Sequence, residues 1–269
     1  MPEMPAEADS PEEIIRNAKW EDCVPVGRGT SCKVYRVNDV AVKIRKIDGI
    51  YHAIEKAIYE RLGDYKYIVK CYGETPPDAV VPRGLMLEYH PAGTLLQNLS
   101  TDSSKSAKWP LEAAEAVTYI HAHGVIHGDI GAHNFFLKRN GSIVLGDFGG
   151  SRLDWSHCRV LSSPRYTRGM QLSEYSREPI ERDDLFALGG VIYEITAKKR
   201  LYGDKPDSTI RILYLKKLFP DVSSFSTNIR VVVEKCWNLE YECGADTIRD
   251  LKEPASPSRI AAALGCLLL

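Results

Sequence analysis

The sequence contains little that would suit a membrane protein, a nucleic-acid-binding module or a disulfide-rich secreted protein. Its apolar runs fall short of the roughly 18 residues that a membrane-spanning helix needs. Lysine and arginine number 35 against 36 for aspartate and glutamate, so the net charge of −1 provides no basic surface for nucleic acid or anionic lipid. The seven cysteines form no CxxC pair, and the acidic, proline-rich first residues do not resemble a signal peptide. We therefore expect a cytoplasmic enzyme with no membrane span and no nucleic-acid partner.

The chain has 269 residues, and its predicted secondary structure changes near residue 90 from mainly β to mainly helical. Two β-rich runs, KVYRV and VAVKI, flank Asn38-Asp39, which predicts a hairpin because both turn residues tolerate positive φ. Apolar residues recur at helical spacing over 50–62, and β-like runs follow at 67–72 and 85–89. Beyond residue 90 the segments that we predict as helices are 111–123, 183–197, 209–218 and 227–236.

These patterns predict an α+β fold of two unequal lobes. The first lobe, residues 21–89, is small and β-rich and has one long helix. The second, residues 90–253, is larger and mainly helical. We expect residues 1–20 to form a partly disordered tail with a short helix starting at a capping box on Ser10, and residues 254–269 to form a C-terminal tail.

The first lobe contains two features that suit a nucleotide. Gly27 and Gly29 lie between two predicted strands, where glycines let backbone N–H groups approach phosphates. Ala41 and Lys43 lie on one face of the next strand, a small residue beside a cation. Taken singly, the glycines fit an ordinary turn and the lysine fits an exposed strand.

The predicted helix that follows offers two acidic candidates. Glu55 shares its face with apolar residues, whereas Glu60 lies on the polar face with other charged side chains. A carboxylate on the buried face needs a partner, and Lys43 is the nearest candidate. We therefore predict a Lys43–Glu55 pair and a solvated Glu60.

The most specific pattern lies at residues 127–149. Asp129 precedes Asn134 by five residues, and Asp147 follows an apolar strand thirteen residues later. Carboxylate and amide oxygens are hard ligands that suit Mg²⁺ bound to ATP phosphates. The array thus offers two metal ligands and one general base.

Together these residues resemble a eukaryotic-type protein kinase over roughly residues 22–250, and the combination of HGD, DLFALG and a late CW is most similar to divergent kinases of filamentous fungi. The HGD loop and its asparagine resemble the kinase catalytic loop, and Asp147-Phe148-Gly149 resembles DFG. The aspartate of DLFALG, Asp184, corresponds to one that braces the catalytic loop. The other similar positions are Gly27, Gly29 and Val34 in the glycine-rich loop, Lys43 and Glu55 as the ion pair, Leu87 as gatekeeper with Glu88 in the hinge, and Cys236-Trp237.

The resemblance implies an ATP-dependent protein kinase with a protein substrate. Lys43, held by Glu55, would bind the α- and β-phosphates, and Asp129 would accept the proton of the substrate hydroxyl. Asn134 and Asp147 would hold Mg²⁺. The implied adenine contacts are Ala41, Phe136 and backbone groups near Glu88 and His90.

Several positions depart from the family pattern. Cys32 replaces the third glycine of the loop, and Gly128 replaces the arginine that usually binds a phosphate on the activation segment. Gly131 stands where serine/threonine kinases carry a lysine, and His133 where tyrosine kinases carry an arginine. No APE motif ends the activation segment, and Pro164-Arg165-Tyr166 is the nearest landmark. The choice between Ser/Thr and Tyr acceptors stays open, and we expect activity without activation-segment phosphorylation.

Two other functions are compatible with much of this pattern. A pseudokinase scaffold would have the same fold, but here the set of lysine, glutamate, two aspartates and asparagine is complete. A small-molecule kinase often has an HGD loop, but DFG and DLFALG favour a protein kinase.

Two features outside this pattern yield weaker expectations. A zinc site could be assembled from His121, His123, His127 and His133. The ending CLLL fits a prenylation signal at Cys266, although no basic cluster precedes it.

Overall fold

The chain divides into two compact units, Met1–Pro91 and Ala92–Leu269. The computed structural model describes residues 9–29, 32–45, 49–101, 104–158, 162–169 and 177–253. The tip of the glycine-rich loop at residues 30–31, part of the activation segment and the tail with Cys266 lie outside these ranges.

The first unit is built on a five-stranded antiparallel sheet with the order β1-β2-β3-β5-β4. The predicted hairpin is confirmed, because β2 and β3 pair around a turn in which Asn38 has a φ of 52°. The elements of this unit are α1 (Pro11–Asn17), β1 (Val24–Arg28), β2 (Cys32–Val37), β3 (Val40–Arg45), α2 (Gly49–Leu62), β4 (Cys71–Glu74) and β5 (Leu85–Glu88).

Helix α1 belongs to the core of this unit, although we predicted residues 1–20 as a tail. The predicted capping box is present, with Ser10 and Glu13 bonded to each other's backbone N–H. Ile15 is fully buried and packs in one apolar cluster with Val37 and Val42. This burial holds the short helix against the sheet, and a two-turn amphipathic pattern is too short to predict it.

The predicted strand over 67–72 begins only at Cys71. Before it, the N–H of Ile68 bonds to the carbonyl of Tyr65 in a turn, while Ile68 and Val69 are buried. A short apolar run signals burial and does not by itself separate a strand from a buried turn.

The second unit is mainly helical, as predicted. Its central helix α4 packs against both α3 and α6, and α3 also packs against α7. Short two-stranded pairs, β6 with β9 and β7 with β8, carry the loops between the helices. The elements are α3 (Trp109–Ala122), β6 (Val125–Ile126), β7 (Phe135–Leu137), β8 (Ile143–Leu145), β9 (Arg152–Leu153), α4 (Glu181–Ala197), α5 (Asp207–Leu215), α6 (Thr227–Trp237) and α7 (Gly244–Lys252).

Two helices of this unit differ from the prediction. Helix α5 ends at Leu215 because Lys217 adopts a left-handed φ of 53° and the N–H of Leu218 turns back to the carbonyl of Leu213. Helix α7 was not predicted, since its buried residues are glycine, threonine and aspartate and form no apolar stripe. Across the described ranges, no helix is both long and apolar enough to cross a membrane.

Candidate active site

The predicted pair between Lys43 and Glu55 is present in the first unit. Lys43 on β3 donates to Oε1 of Glu55 on α2 at 2.5 Å, and the two side chains are only 5% and 1% exposed. Burying two charges is costly unless they are paired, so this contact fixes α2 relative to the sheet. Glu60 is exposed, as expected for the polar face of the helix.

A second cation reaches the same carboxylate, and sequence analysis did not include it. Nη2 of Arg45 lies 3.3 Å from Oε2 of Glu55, with the arginine side chain 7% exposed. Alternation along β3 places Arg45 on the same face as Lys43, which is the signal that could have identified it. Two cations thus converge on the one carboxylate of Glu55.

Helix α2 is held to the neighbouring strand β4 by a second group of charges. Nε2 of His52 lies 2.8 Å and Nζ of Lys56 lies 3.1 Å from the carboxylate of Glu74. The hydrogen bonds from His52 and Lys56 lower the pKa of Glu74 to about 2. These contacts orient the helix so that Glu55 faces Lys43.

The predicted nucleotide-contacting residues of this unit lie on adjacent strands. Gly27 on β1 is opposite Val34 on β2, and Ala41 on β3 is opposite Leu87 on β5. The N–H of Gly29 closes the glycine-rich turn on the carbonyl of Cys32 at 3.0 Å. Glu88 is partly exposed, and His90 is buried beside it, with Nε2 of His90 4.0 Å from Oε2 of Glu88.

In the second unit, hydrogen bonds to the side chain of Asp184 hold the catalytic loop in place. The N–H groups of His127 and Gly128 donate to its two carboxylate oxygens at 2.8 and 2.9 Å. Asp184 lies on α4, is 1% exposed and also contacts Nε2 of His121 at 3.0 Å. The bracing role that the resemblance implied for this aspartate is therefore confirmed.

The two oxygens of the Asp129 carboxylate have different surroundings. Oδ2 lies 3.2 Å from Nε2 of His133 and accepts a hydrogen bond from Nδ2 of Asn134 at the same distance. Oδ1 is buried and accepts no hydrogen bond from any described residue. A buried acceptor without a partner is rare in folded proteins and indicates a position where a ligand supplies the missing donor.

Asn134 and Asp147 flank the open end of the β7–β8 hairpin. The N–H of Gly146 bonds to the carbonyl of Asn134 at 2.9 Å, which brings the residue before Asp147 against Asn134. Asp147 is exposed and has a left-handed φ of 61°, a strained conformation typical of functional sites. Phe148 beside it is fully buried against the ring of His127. The carboxylate of Asp147 and the amide oxygen of Asn134 are hard donors of the kind that Mg²⁺ prefers.

The zinc site that we considered is not assembled. His121 contacts Asp184, His127 contacts the carbonyl of Gly146, and His133 contacts Asp129, so three of the four rings have separate partners. In the parts of the chain that the structure describes, no group of three or more His, Cys, Asp or Glu side chains could hold a metal ion.

The residues around Gly128 and Gly131 explain two departures from the kinase pattern. A Cβ on Gly128, whose φ is +75°, would lie 2.6 Å from Sγ of Cys158 on the activation segment. The hydroxyl of Ser162 donates to the carbonyl of Gly128. A Cβ on Gly131 would lie 2.5 Å from the His133 ring, so the glycine makes room for that imidazole.

The end of the activation segment is anchored by Arg165 and Tyr166. Arg165 is buried and donates to the backbone carbonyls of Leu201, at 2.9 Å, and of neighbouring residues. The hydroxyl of Tyr166 donates to Glu194 at 2.7 Å and accepts from the N–H of Ala132 at 3.3 Å. Burial raises the pKa of both Tyr166 and Glu194. Sequence analysis identified the landmark but not Glu194, which lies 28 residues further along.

Comparisons with known proteins agree with this geometry. The family described as Protein kinase domain matches residues 20–243. The leaf rust 10 disease-resistance locus receptor-like protein kinase-like 1.1 of Arabidopsis thaliana is 32% identical over 189 residues, which cover 62% of this chain and 29% of that protein. Serine/threonine-protein kinase Nek3 of Mus musculus is 30% identical over 126 residues, 43% of this chain and 24% of that protein. Aurora kinase A-B of Xenopus laevis is 35% identical over 125 residues, 43% of this chain and 29% of that protein.

These alignments each span less than a third of the relative's own length. The family match, by contrast, takes in every element from β1 to α6. Within it lie the buried Lys43–Glu55 pair and the catalytic loop that Asp184 braces. The chain therefore belongs to the protein kinase domain family.

Proposed function

We propose that the chain is an active protein kinase that transfers the γ-phosphoryl group of ATP to a hydroxyl of a protein substrate. The observation that carries this proposal is the asymmetry of the Asp129 carboxylate. Because Oδ2 is held by Asn134 and His133, the side chain cannot rotate freely, and the unpaired Oδ1 is the atom available to accept a proton. A general base needs this combination of fixed orientation and a free lone pair.

We propose nucleotide contacts for each unit separately. In the first, Lys43 and Arg45 offer positive charge to the phosphates while Glu55 orients them, and Gly27 and Gly29 allow close approach of the backbone. Asn134 and Asp147 would hold Mg²⁺, which neutralises phosphate charge when it is bound. For adenine we propose Val34, Ala41, Leu87, Phe136 and the backbone at Glu88 and His90.

Two competing functions make different predictions. A pseudokinase would bind a partner without phosphoryl transfer, and a small-molecule kinase would phosphorylate a small alcohol or aminoglycoside. We propose the protein kinase because the base, both metal ligands and the ion pair are complete and the activation segment is docked on α4. Incubation with labelled ATP and a degenerate peptide library tests this proposal and reads out Ser/Thr against Tyr. Absence of transfer to any peptide, with transfer to small alcohols, would contradict it.

Removal of one metal ligand should abolish magnesium-dependent nucleotide binding. We expect ATP with Mg²⁺ to stabilise the wild-type protein by about 2.7 kcal/mol at a hundredfold excess over Kd, and Asp147→Asn to lose most of that gain. The measurement is thermal unfolding with ATP, with and without Mg²⁺.

Asp154→Asn is the matched control, because Asp154 has the same residue type in the same left-handed conformation, with φ of 50°. It should retain the full magnesium-dependent shift. An equal shift for Asp147→Asn and wild type would show that Asp147 does not hold the metal.

Activity should not depend on phosphorylation of the activation segment. The arginine that usually receives the phosphate is replaced by Gly128, and the segment is instead held by hydrogen bonds from Ser162, Arg165 and Tyr166. Phosphatase-treated enzyme should keep its turnover within about tenfold, 1.4 kcal/mol in activation free energy.

The Ser162→Asp variant sharpens this test. A carboxylate there cannot donate to the carbonyl of Gly128, so a charged substituent should lower activity rather than raise it. A loss larger than tenfold on phosphatase treatment, or activation by Ser162→Asp, would show that a phosphate switch operates without the usual arginine.

A further inference from the structure

Both oxygens of the Glu55 carboxylate are held by cations, and the two contacts differ in strength. Lys43 donates to Oε1 at 2.5 Å. Arg45 reaches Oε2 with two groups, Nη2 at 3.3 Å and Nε at 3.4 Å, which is long for a charge-assisted bond. The three side chains are 7% exposed or less, so solvent screens neither contact strongly. Glu55 thus has one close partner and one more distant partner.

The sheet fixes the backbone of Arg45 at the end of β3. Arg45 lies opposite Cys32 in the β2–β3 ladder, and the carbonyl of Cys32 accepts the N–H of Gly29 in the glycine-rich turn. Ile44, on the opposite face of the strand, packs against the apolar cluster that contains Ile15. The strand is therefore held on both sides, which keeps the arginine side chain within reach of Glu55.

This second contact is not needed to attach helix α2 to the sheet. His52 and Lys56 already bind the helix to strand β4, and one cation is enough to balance the charge of Glu55. Arg45 acts instead on the carboxylate itself, at the oxygen that Lys43 does not contact. Its contribution matters in a state in which Lys43 has a second partner.

Nucleotide binding creates that state. Under the proposed function Lys43 binds the α- and β-phosphates, and their negative charge competes with Glu55 for one ammonium group. A buried carboxylate that loses its cation is costly, so this competition opposes phosphate binding. A second cation on Oε2 lowers the cost, because Glu55 stays paired while Lys43 contacts phosphate.

We propose that Arg45 is a positioning residue that retains Glu55 while Lys43 engages the phosphates of the nucleotide. The inference rests on the proposed function, since it assigns the phosphates to Lys43. Arg45 acts through Glu55, and its effect is therefore specific to ligands that carry phosphate.

Titration of the full chain with ATP and with adenosine tests this role. Arg45→Met should weaken the binding of ATP by about tenfold, because the phosphates then compete for Lys43 with a carboxylate that has no other partner. Adenosine brings no phosphate, so its Kd should stay within about twofold of the wild-type value. Arg83→Met is the matched control, because Arg83 lies 3.3 Å from the carboxylate of Glu74 in the same unit and is 81% exposed. It should leave both affinities unchanged.

A purely structural role for Arg45 predicts a different result. Equal weakening of ATP and adenosine binding, or unchanged ATP affinity for Arg45→Met, would overturn the proposal. Absence of phosphoryl transfer in a wild type that shows the expected affinities would contradict kinase activity and leave the role of Arg45 supported.

Thermal unfolding without nucleotide provides a second test. Lys43→Met and Arg45→Met each leave one cation on Glu55, whereas the double variant leaves neither. The fall in Tm of the double variant should therefore exceed the sum of the two single falls, and Glu55→Gln in the double background should recover part of it. A double variant that fails to fold, beside a triple variant that folds, is the same result in a stronger form. Additive falls in Tm would show that the two cations do not share the carboxylate, and the proposal would be wrong.

Discussion

Asp129→Asn should lower turnover by about a hundredfold or more while ATP affinity stays close to that of the wild type. Asparagine has almost the same shape as aspartate, so the loop should keep its conformation. The effect arises from which atom the new amide must present to the substrate.

The hydrogen bonds around residue 129 determine that orientation. Nδ2 of Asn134 donates to the position of Oδ2, so an asparagine must place its single oxygen there. Its NH2 group then occupies the position of Oδ1, where the wild type has a buried acceptor with no described partner. An amide NH2 donates a hydrogen bond and cannot accept the proton of a hydroxyl nucleophile.

The contrast with Asp147→Asn makes the test specific. The change at Asp129 should lower kcat at unchanged nucleotide Kd, whereas the change at Asp147 should weaken magnesium-dependent binding of ATP. Single-turnover kinetics and nucleotide titration separate the two quantities. Near wild-type turnover for Asp129→Asn would remove the general base from the proposal, and equal loss of ATP affinity would reassign the residue to binding.

The parts of the site that could be predicted from sequence follow from local periodicity. Alternation along β3 put Lys43 on one face, and helical spacing put Glu55 on the buried face of α2. Because a buried carboxylate requires a partner, the pair followed from burial alone. The hairpin between β2 and β3 was predicted in the same way, from two β-rich runs and a turn that tolerates positive φ.

The parts that could not be predicted depend on contacts between distant segments. Glu194 supports Tyr166 from within an apolar helix, where a glutamate gives no periodic signal of its partner. The contact of Cys158 with Gly128 depends on the path of the activation segment, which no local pattern specifies. Helix α7 lacked the apolar stripe that would have revealed it. Tertiary packing, and not local propensity, determines these features.

Substitution of Gly128, the glycine of the catalytic loop, is expected to have the second large effect, on both stability and turnover. Gly128→Ala should destabilise the protein by about 2 to 4 kcal/mol, from left-handed backbone strain and overpacking together. The strain arises because φ is +75°, and the overpacking because the new Cβ would lie 2.6 Å from Sγ of Cys158. The same displacement should lower kcat, since the N–H of Gly128 is one of the two that hold the loop on Asp184.

Two controls separate these contributions. Gly63 ends helix α2 with a φ of +61° and has nothing within 4 Å of a new Cβ, so Gly63→Ala measures the backbone strain alone, about 1 kcal/mol. Cys158→Ala in the Gly128→Ala background removes the overlap and should restore the overpacking part of the loss, but not the strain. The measurement is the free energy of unfolding of the four proteins together with kcat.

Gly128→Arg, which introduces the residue that most kinases have at this position, should be at least as damaging as Gly128→Ala. An arginine adds its side chain to a position where even a Cβ overlaps Cys158, and its φ strain is the same. If Gly128→Arg is instead fully active and becomes sensitive to phosphatase, the activation segment can move away from the loop. In that case packing between Cys158 and Gly128 is not what orders the segment, and the usual arginine would be compatible with this fold.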